Sequence, residues 1–277
     1  MNRTLQVFLG VLALGVAISS AIAQERPRRE VSWVNSKLPE SPGLSHHVLP
    51  SKALGRDVGY VVWKPEDFDD SGATRYGVIY FLHGMGGNES ADAGGFSSLV
   101  RSAVKRGVMP PVICVFPNGG RSGYRGEVET MIVDELIPLI DKSYPTKAEA
   151  GSRVVAGFSM GGAGSVRLSL LHPELFCAAA SWGGGMWRDS ETLLAAVDRD
   201  AKALKANAYA TLLINGDQDR PDAYASLVEK LSAHAIPSQV VVLEDTPHNL
   251  GLYYQRSGKQ MTDFLGEHLK PAQAAAP

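Results

Sequence analysis

From residue 77 onward, two hydrophobic rhythms alternate along the chain. Short apolar runs at residues 78–82, 112–116, 154–156, 177–182, 209–214 and 239–243 carry little polar interruption. Runs of that length and composition predict strands buried on both faces. Between them, apolar residues recur three and four positions apart. The clearest case is 128–143, where Val128, Met131, Ile132, Leu136, Leu139 and Ile140 fall on one helical face. Similar spacing predicts helices at 96–106, after residue 159, and at 191–205, 224–233 and 260–269. Before this region, residues 46–50 and 58–63 flank the turn-forming segment 52–57 and predict an antiparallel hairpin. Strands alternating with amphipathic helices imply an α/β fold: a mostly parallel, about eight-stranded sheet with helices on both faces.

One junction in this pattern carries chemistry. Val154 and Val155 lead into Gly157-Phe158-Ser159-Met160-Gly161, and a helical pattern through Val166, Leu168 and Leu171 follows. Strand, glycine-flanked serine and helix form the pattern of a nucleophile elbow. A serine on so tight a turn sits in strained backbone, and side chains two residues to either side would meet adjacent strands, so glycine is needed at both places. The amide of Met160 and the start of the helix then face the space above the serine hydroxyl, where they favour developing negative charge.

A serine nucleophile needs a base, a group that orients the base, and an oxyanion hole. The apolar run 211–214 ends in Asn215-Gly-Asp-Gln-Asp219, and the last strand runs into Glu244-Asp-Thr-Pro-His248. The order serine, acid, histidine at successive strand ends makes His248 the expected base. Asp219 is preferred as the acid, with Asp217 the alternative and a turn residue otherwise. Glu244 and Asp245 lie too close in sequence to His248 to reach its far nitrogen easily. The loop His83-Gly-Met-Gly-Gly87 is the expected second half of the oxyanion hole. Met85 is its expected donor beside Met160, and Gly84 is the alternative. His83 is expected to fix this loop rather than act as base. Glu89 stands where a dinucleotide-binding glycine pattern would need its third glycine, so a nucleotide cofactor is unsupported.

Composition narrows the setting. The chain has 277 residues, 44% of them hydrophobic and 20% charged, which suits one large domain. A net charge of −2 suggests neither nucleic acid nor an acidic membrane surface as partner. Residues 1–23, with Arg3, an apolar stretch from 5 to 18 and Ala21-Ile-Ala23, read as a cleavable export signal rather than a membrane anchor. Its loss would remove Arg3 and take the charge from −2 to −3. A secreted or periplasmic protein is therefore expected, with an arm at 24–44, a domain at 45–270 and a flexible tail at 271–277. Cys114 and Cys177 lie on strands that this fold would not make neighbours, so both are expected to be free. Adjacent His46 and His47 point to opposite faces of a strand and suggest no metal site.

Five stretches carry a family resemblance. They are Ser51-Lys-Ala-Leu-Gly-Arg-Asp-Val-Gly-Tyr60, Phe81-Leu-His-Gly-Met-Gly-Gly87, Glu135-Leu-Ile-Pro-Leu-Ile-Asp-Lys-Ser-Tyr144, Gly157-Phe-Ser-Met-Gly-Gly162 and His172-Pro-Glu-Leu-Phe176. Through them the chain resembles the esterase D/feruloyl esterase-like branch of the α/β-hydrolase superfamily. That resemblance implies a cofactor-free serine esterase with Ser159, Asp219 and His248 as triad, and it makes His172 a helix-end residue. The spacing leaves no room for a large lid between 182 and 209. An open cleft fits acyl or hydroxycinnamoyl esters on carbohydrate, and Tyr124, Trp182 and Trp187 are candidate walls of the acyl pocket. Acyl transfer of the mycolyltransferase type, or a catalytically silent binding protein on the same fold, are the alternatives. The oligomeric state is not legible.

Overall fold

The computed structural model describes residues 30–270, so the expected export signal and tail lie outside it. Eight strands form one sheet in the order β1-β2-β4-β3-β5-β6-β7-β8. They are β1 Leu44–Ser51, β2 Arg56–Trp63, β3 Gly77–Leu82, β4 Val112–Pro117, β5 Arg153–Phe158, β6 Ala178–Trp182, β7 Ala210–Gly216 and β8 Ser238–Leu243. β2 runs antiparallel to β1 and β4, and every other pairing is parallel.

Alternation along each strand divides the core in two. Val78, Tyr80 and Leu82 of β3 join Val155 and Leu213 on one face, while Ile79 and Phe81 join Val154, Ala156 and Leu212 on the other. Helices α1 (Ala93–Lys105) and α7 (Leu250–Leu269) cover the second face. The first face is covered by α4 (Met160–Leu171), α5 (Ser190–Ala206), α6 (Ala225–Ala233) and a helix interrupted by a π turn: α2 Glu127–Thr130, Met131–Leu136, then α3 Ile137–Ser143. Helix α7 starts ten residues earlier than its apolar period predicts. Cys114 and Cys177 are free and buried, with β3 and β5 between their strands.

Strand order fixes where chemistry is feasible. After β3 the chain moves to one side to form β4, then returns to form β5 on the other side. The loops leaving β3 and β5 therefore diverge, and the crevice between them is where ligands bind in open α/β sheets. The loop after β3 begins at His83, and the one after β5 carries Ser159. Among the described residues, no helix is long and apolar enough to cross a membrane.

Candidate active site

Ser159 sits between β5 and α4 with φ at 57°, a left-handed conformation that costs a non-glycine residue energy. Its amide donates to the Trp182 carbonyl at 2.7 Å, which holds the strained turn. The need for flanking glycines is geometric. A Cβ at Gly161 would lie 1.8 Å from the Leu82 carbonyl oxygen, and one at Gly157 would lie 2.5 Å from the Gly161 carbonyl.

The three triad candidates meet above this turn. The Ser159 hydroxyl donates to His248 Nε2 at 2.8 Å, and His248 Nδ1 donates to Asp219 Oδ2 at 2.6 Å. The imidazole stacks on Phe158 with centroids 4.7 Å apart. Asp219 is buried, and its loop is tied down by Asn215, whose amide donates at 3.1 Å to the carbonyls of Gly184, Asp219 and Arg220. Asp217 does something else. Exposed on the surface, it accepts the amides of Asp245 and Thr246 at 3.0 Å each, and these bonds hold its carboxyl below the usual carboxylate range. It braces the loop that delivers His248.

One participant was not expected from the sequence. The buried Tyr253 of α7 donates its hydroxyl to Asp219 Oδ2 at 2.6 Å and accepts the Gly216 amide at 2.7 Å. Burial, and then the bond to the Asp219 carboxylate, push this phenol well above its ordinary pKa, so it remains a proton donor. The only sequence signal was its place shortly after His248, in a stretch whose Gly251 and Gly258 blur the helical period.

The loop after β3 lies against the nucleophile, with Gly84 so placed that a Cβ there would be 3.5 Å from Ser159 Cβ. Gly87 donates its amide to the Gly84 carbonyl at 3.0 Å, closing a turn with Gly86 at φ 84° in its third position. Met85 stands at the corner of that turn with its side chain exposed. Met160 is the first residue of α4, so its amide lacks an acceptor within the helix. His83 is buried and fixes the loop. Its Nδ1 donates to the Gly84 carbonyl at 2.8 Å, and its Nε2 accepts the Gly119 amide at 2.9 Å. Those partners define a neutral imidazole, and burial depresses its pKa accordingly. His46 donates to the buried Glu89, and His172 donates to Glu129 at the end of α4.

The expected aromatic wall requires correction. Trp182 has no exposed surface. It ends β6 inside the second core, packs against Phe81 and Tyr254, and donates its indole N–H to Ser257 at 2.9 Å. Tyr124 is equally buried, with its ring against Gly119 and Gly164 and its hydroxyl donating to the His83 carbonyl at 3.0 Å. Neither faces an open cleft. Trp187 does reach solvent, at 43% exposure and φ 42°, with the Arg220 guanidinium 5.1 Å from its ring centroid.

The family described as Putative esterase matches residues 51–268. The chain belongs to that family. An endo-1,4-beta-xylanase/feruloyl esterase of Xylanibacter ruminicola is 30% identical to it over 202 residues, 69% of this chain and 26% of the relative. An esterase of Mycobacterium tuberculosis is 34% identical over 153 residues, 52% of this chain and 32% of the relative. The chain therefore spans only about a quarter to a third of these curated relatives. Among solved structures, a ferulic acid esterase has a TM-score of 0.70 at 22% identity, covering 81% of this chain and 98% of that one. A feruloyl esterase module from Clostridium thermocellum, complexed with sinapinate, has a TM-score of 0.66 at 15% identity and covers 89% and 99%. At such identities the likeness to these structures concerns the fold.

Proposed function

We propose that this chain is a serine esterase that hydrolyses acyl esters through an acyl-enzyme. The observation that carries the reading is the unbroken relay from Ser159 through His248 to Asp219, at 2.8 and 2.6 Å. In the first step His248 Nε2 takes the hydroxyl proton while Ser159 Oγ attacks the ester carbonyl. Asp219 holds the imidazole in the tautomer that leaves Nε2 free to accept. The amides of Met85 and Met160 receive the oxyanion. His248 then gives its proton to the departing alcohol, and a water activated by the same imidazole releases the acid.

The reading extends to a domain of residues 45–270, to export directed by residues 1–23, and to hydroxycinnamoyl or other acyl groups carried on carbohydrate. Support for the acyl group comes from relatives named as feruloyl esterases and from Trp187, a flat, exposed aromatic surface on the loop after β6. Support for a polymer-borne ester comes from the single helix and short turn between β6 and β7, which form no lid.

Ser159→Ala decides the chemistry. Turnover of p-nitrophenyl acetate is expected to fall by about three orders of magnitude or more, with circular dichroism and Tm close to wild type. A fluorophosphonate probe should label the wild-type protein at Ser159 and leave the variant unlabelled. Retained turnover, or labelling elsewhere, would overturn the assignment.

A further inference from the structure

We infer that the cleft lined by Trp33, Leu54, Arg121, Ser122, Arg125 and Glu127 is a substrate subsite that takes a carboxylate-bearing sugar ring. This deepens the carbohydrate reading above and rests on it. The cleft has a volume of about 360 Å³ and opens beside the loop after β3. A Cβ on Gly86 would lie 3.9 Å from the Arg121 guanidinium, and one on Gly84 of the same turn would lie 3.5 Å from Ser159 Cβ. Substrate extending from the ester across this turn meets Arg121 first and Trp33 beyond it.

The charges around the cleft are unequal in a useful way. Arg125 is spent: its guanidinium grips Asp189 through bonds of 2.7 to 3.0 Å, and Asp189 also accepts from Arg167 at 2.8 Å. Arg121 is exposed and makes no hydrogen bond or ion pair among the described residues. Arg56 is exposed as well, and its guanidinium lies 5.5 Å from the Trp33 ring centroid. Glu127 is the opposing carboxylate in the lining, so the excess of positive charge is that of Arg56, beside the lining at Trp33. A free guanidinium offers a carboxylate two parallel N–H donors, a geometry that a neutral hydroxyl cannot use as fully.

Trp33 is also held in place rather than trailing on a loose arm. Its carbonyl accepts the Gly59 amide at 2.6 Å, and its ring rests against Gly120. The residues flanking it are locked: Asn118 donates to the Ser32 carbonyl at 2.9 Å, and Asn35 donates through its side chain to the buried Glu89 at 3.0 Å. A preset ring, with Arg56 over it, next to an unpaired guanidinium loses little freedom when a pyranose packs against its open edge and its carboxylate pairs with Arg121.

The test compares two acyl esters alike in acyl group and linkage. One sits on a neutral xylo-oligosaccharide, the other on the same oligosaccharide carrying a glucuronic acid. Wild-type kcat/KM is expected to favour the acidic substrate by about tenfold at low salt and to lose most of that preference between about 20 and 300 mM NaCl. Arg121→Ala should abolish the preference, and Arg121→Lys should restore part of it. Both should leave p-nitrophenyl acetate hydrolysis within about twofold of wild type. Equal losses on both oligosaccharides, or no loss on either, would overturn the subsite. If p-nitrophenyl acetate is turned over but neither oligosaccharide ester is, the carbohydrate reading fails. The subsite is then judged by titrating the unesterified acidic oligosaccharide into Ser159→Ala, with and without Arg121→Ala. Saturable binding that needs Arg121 would uphold it, and its absence would refute it.

Discussion

Tyr253 and His248 donate to the same oxygen of Asp219, each at 2.6 Å. The carboxylate is therefore shared, and the phenol limits how strongly it can hold an imidazolium. Tyr253→Phe keeps the ring packing and removes only the donor. We expect kcat/KM to fall about tenfold with KM unchanged. A lowered Tm with kcat/KM unchanged would reduce Tyr253 to packing.

The neighbouring aspartates should separate cleanly. Asp219→Asn replaces the carboxylate that sets the His248 tautomer and should cost about a thousandfold or more in kcat. Asp217→Ala should leave turnover of p-nitrophenyl acetate within about threefold while lowering Tm, since the Asp245 and Thr246 amides lose their acceptor. The reverse ranking of kcat values would make Asp217 the acid.

Gly161→Ala tests the packing of the elbow. Its Cβ would overlap the Leu82 carbonyl oxygen, so the end of β3 must move or the turn must open. A loss of about 1–3 kcal/mol in unfolding free energy is expected from the overpacking. Because Gly84, beside Ser159, lies two residues after Leu82, kcat should fall further than stability alone explains. Urea unfolding beside initial rates measures both.

Asp92 offers a pH signature. Burial raises its carboxyl pKa to about 6, so ionisation is harder in the folded chain than in the unfolded one. Its contribution to stability is whole below the ordinary carboxylate pKa and is lost as pH rises through about 6. Asp92→Asn removes that loss. The variant should gain about 1 kcal/mol over wild type at pH ~8, about half of that at pH ~5 and much less at pH ~4, the half-buried site being partly screened by water. Equal gains at all these pH values would count against ionisation as the cause.

For acyl selectivity, the test falls on Trp187. A panel of acetyl, butyryl and feruloyl esters of one alcohol should show higher kcat/KM for feruloyl, and Trp187→Ala should cut that advantage by about tenfold. A clear acetyl preference in wild type would instead point to a deacetylase-type esterase.

Much of this architecture was legible because buried parallel strands announce themselves as uninterrupted apolar runs, as at residues 78–82 and 112–116. The elbow was legible because steric demand forces glycine at 157 and 161. Less legible was anything that depended on which surface a side chain finally faces. Tyr124 follows a glycine-rich loop and reads as exposed, yet Gly119 and Gly164 vacate the volume its ring occupies. Trp182 ends a strand, and its burial depends on Ser257 of α7. The first half of α7 is not legible because polar residues and two glycines break its apolar period, and Tyr253 lies within it. Val240 and Val242 of β8 are about half exposed, because an edge strand lacks the cover its sequence suggests.

The buried Glu89 gives the first strand a misleading look of independence. Judged from topology, a shortened chain beginning at Leu44 would retain every strand and every member of the relay. It would also strip Glu89 of Asn35 and free Asn118 from Ser32. A sequestered carboxylate that loses neutral hydrogen-bond donors costs about 1–3 kcal/mol. Asn118 adjoins Gly119, whose amide orients His83 and through it the turn beside Ser159. Proteolytic clipping near residue 36 should thus register as slowed catalysis before it registers as unfolding, which makes this leading segment a remote part of the catalytic apparatus.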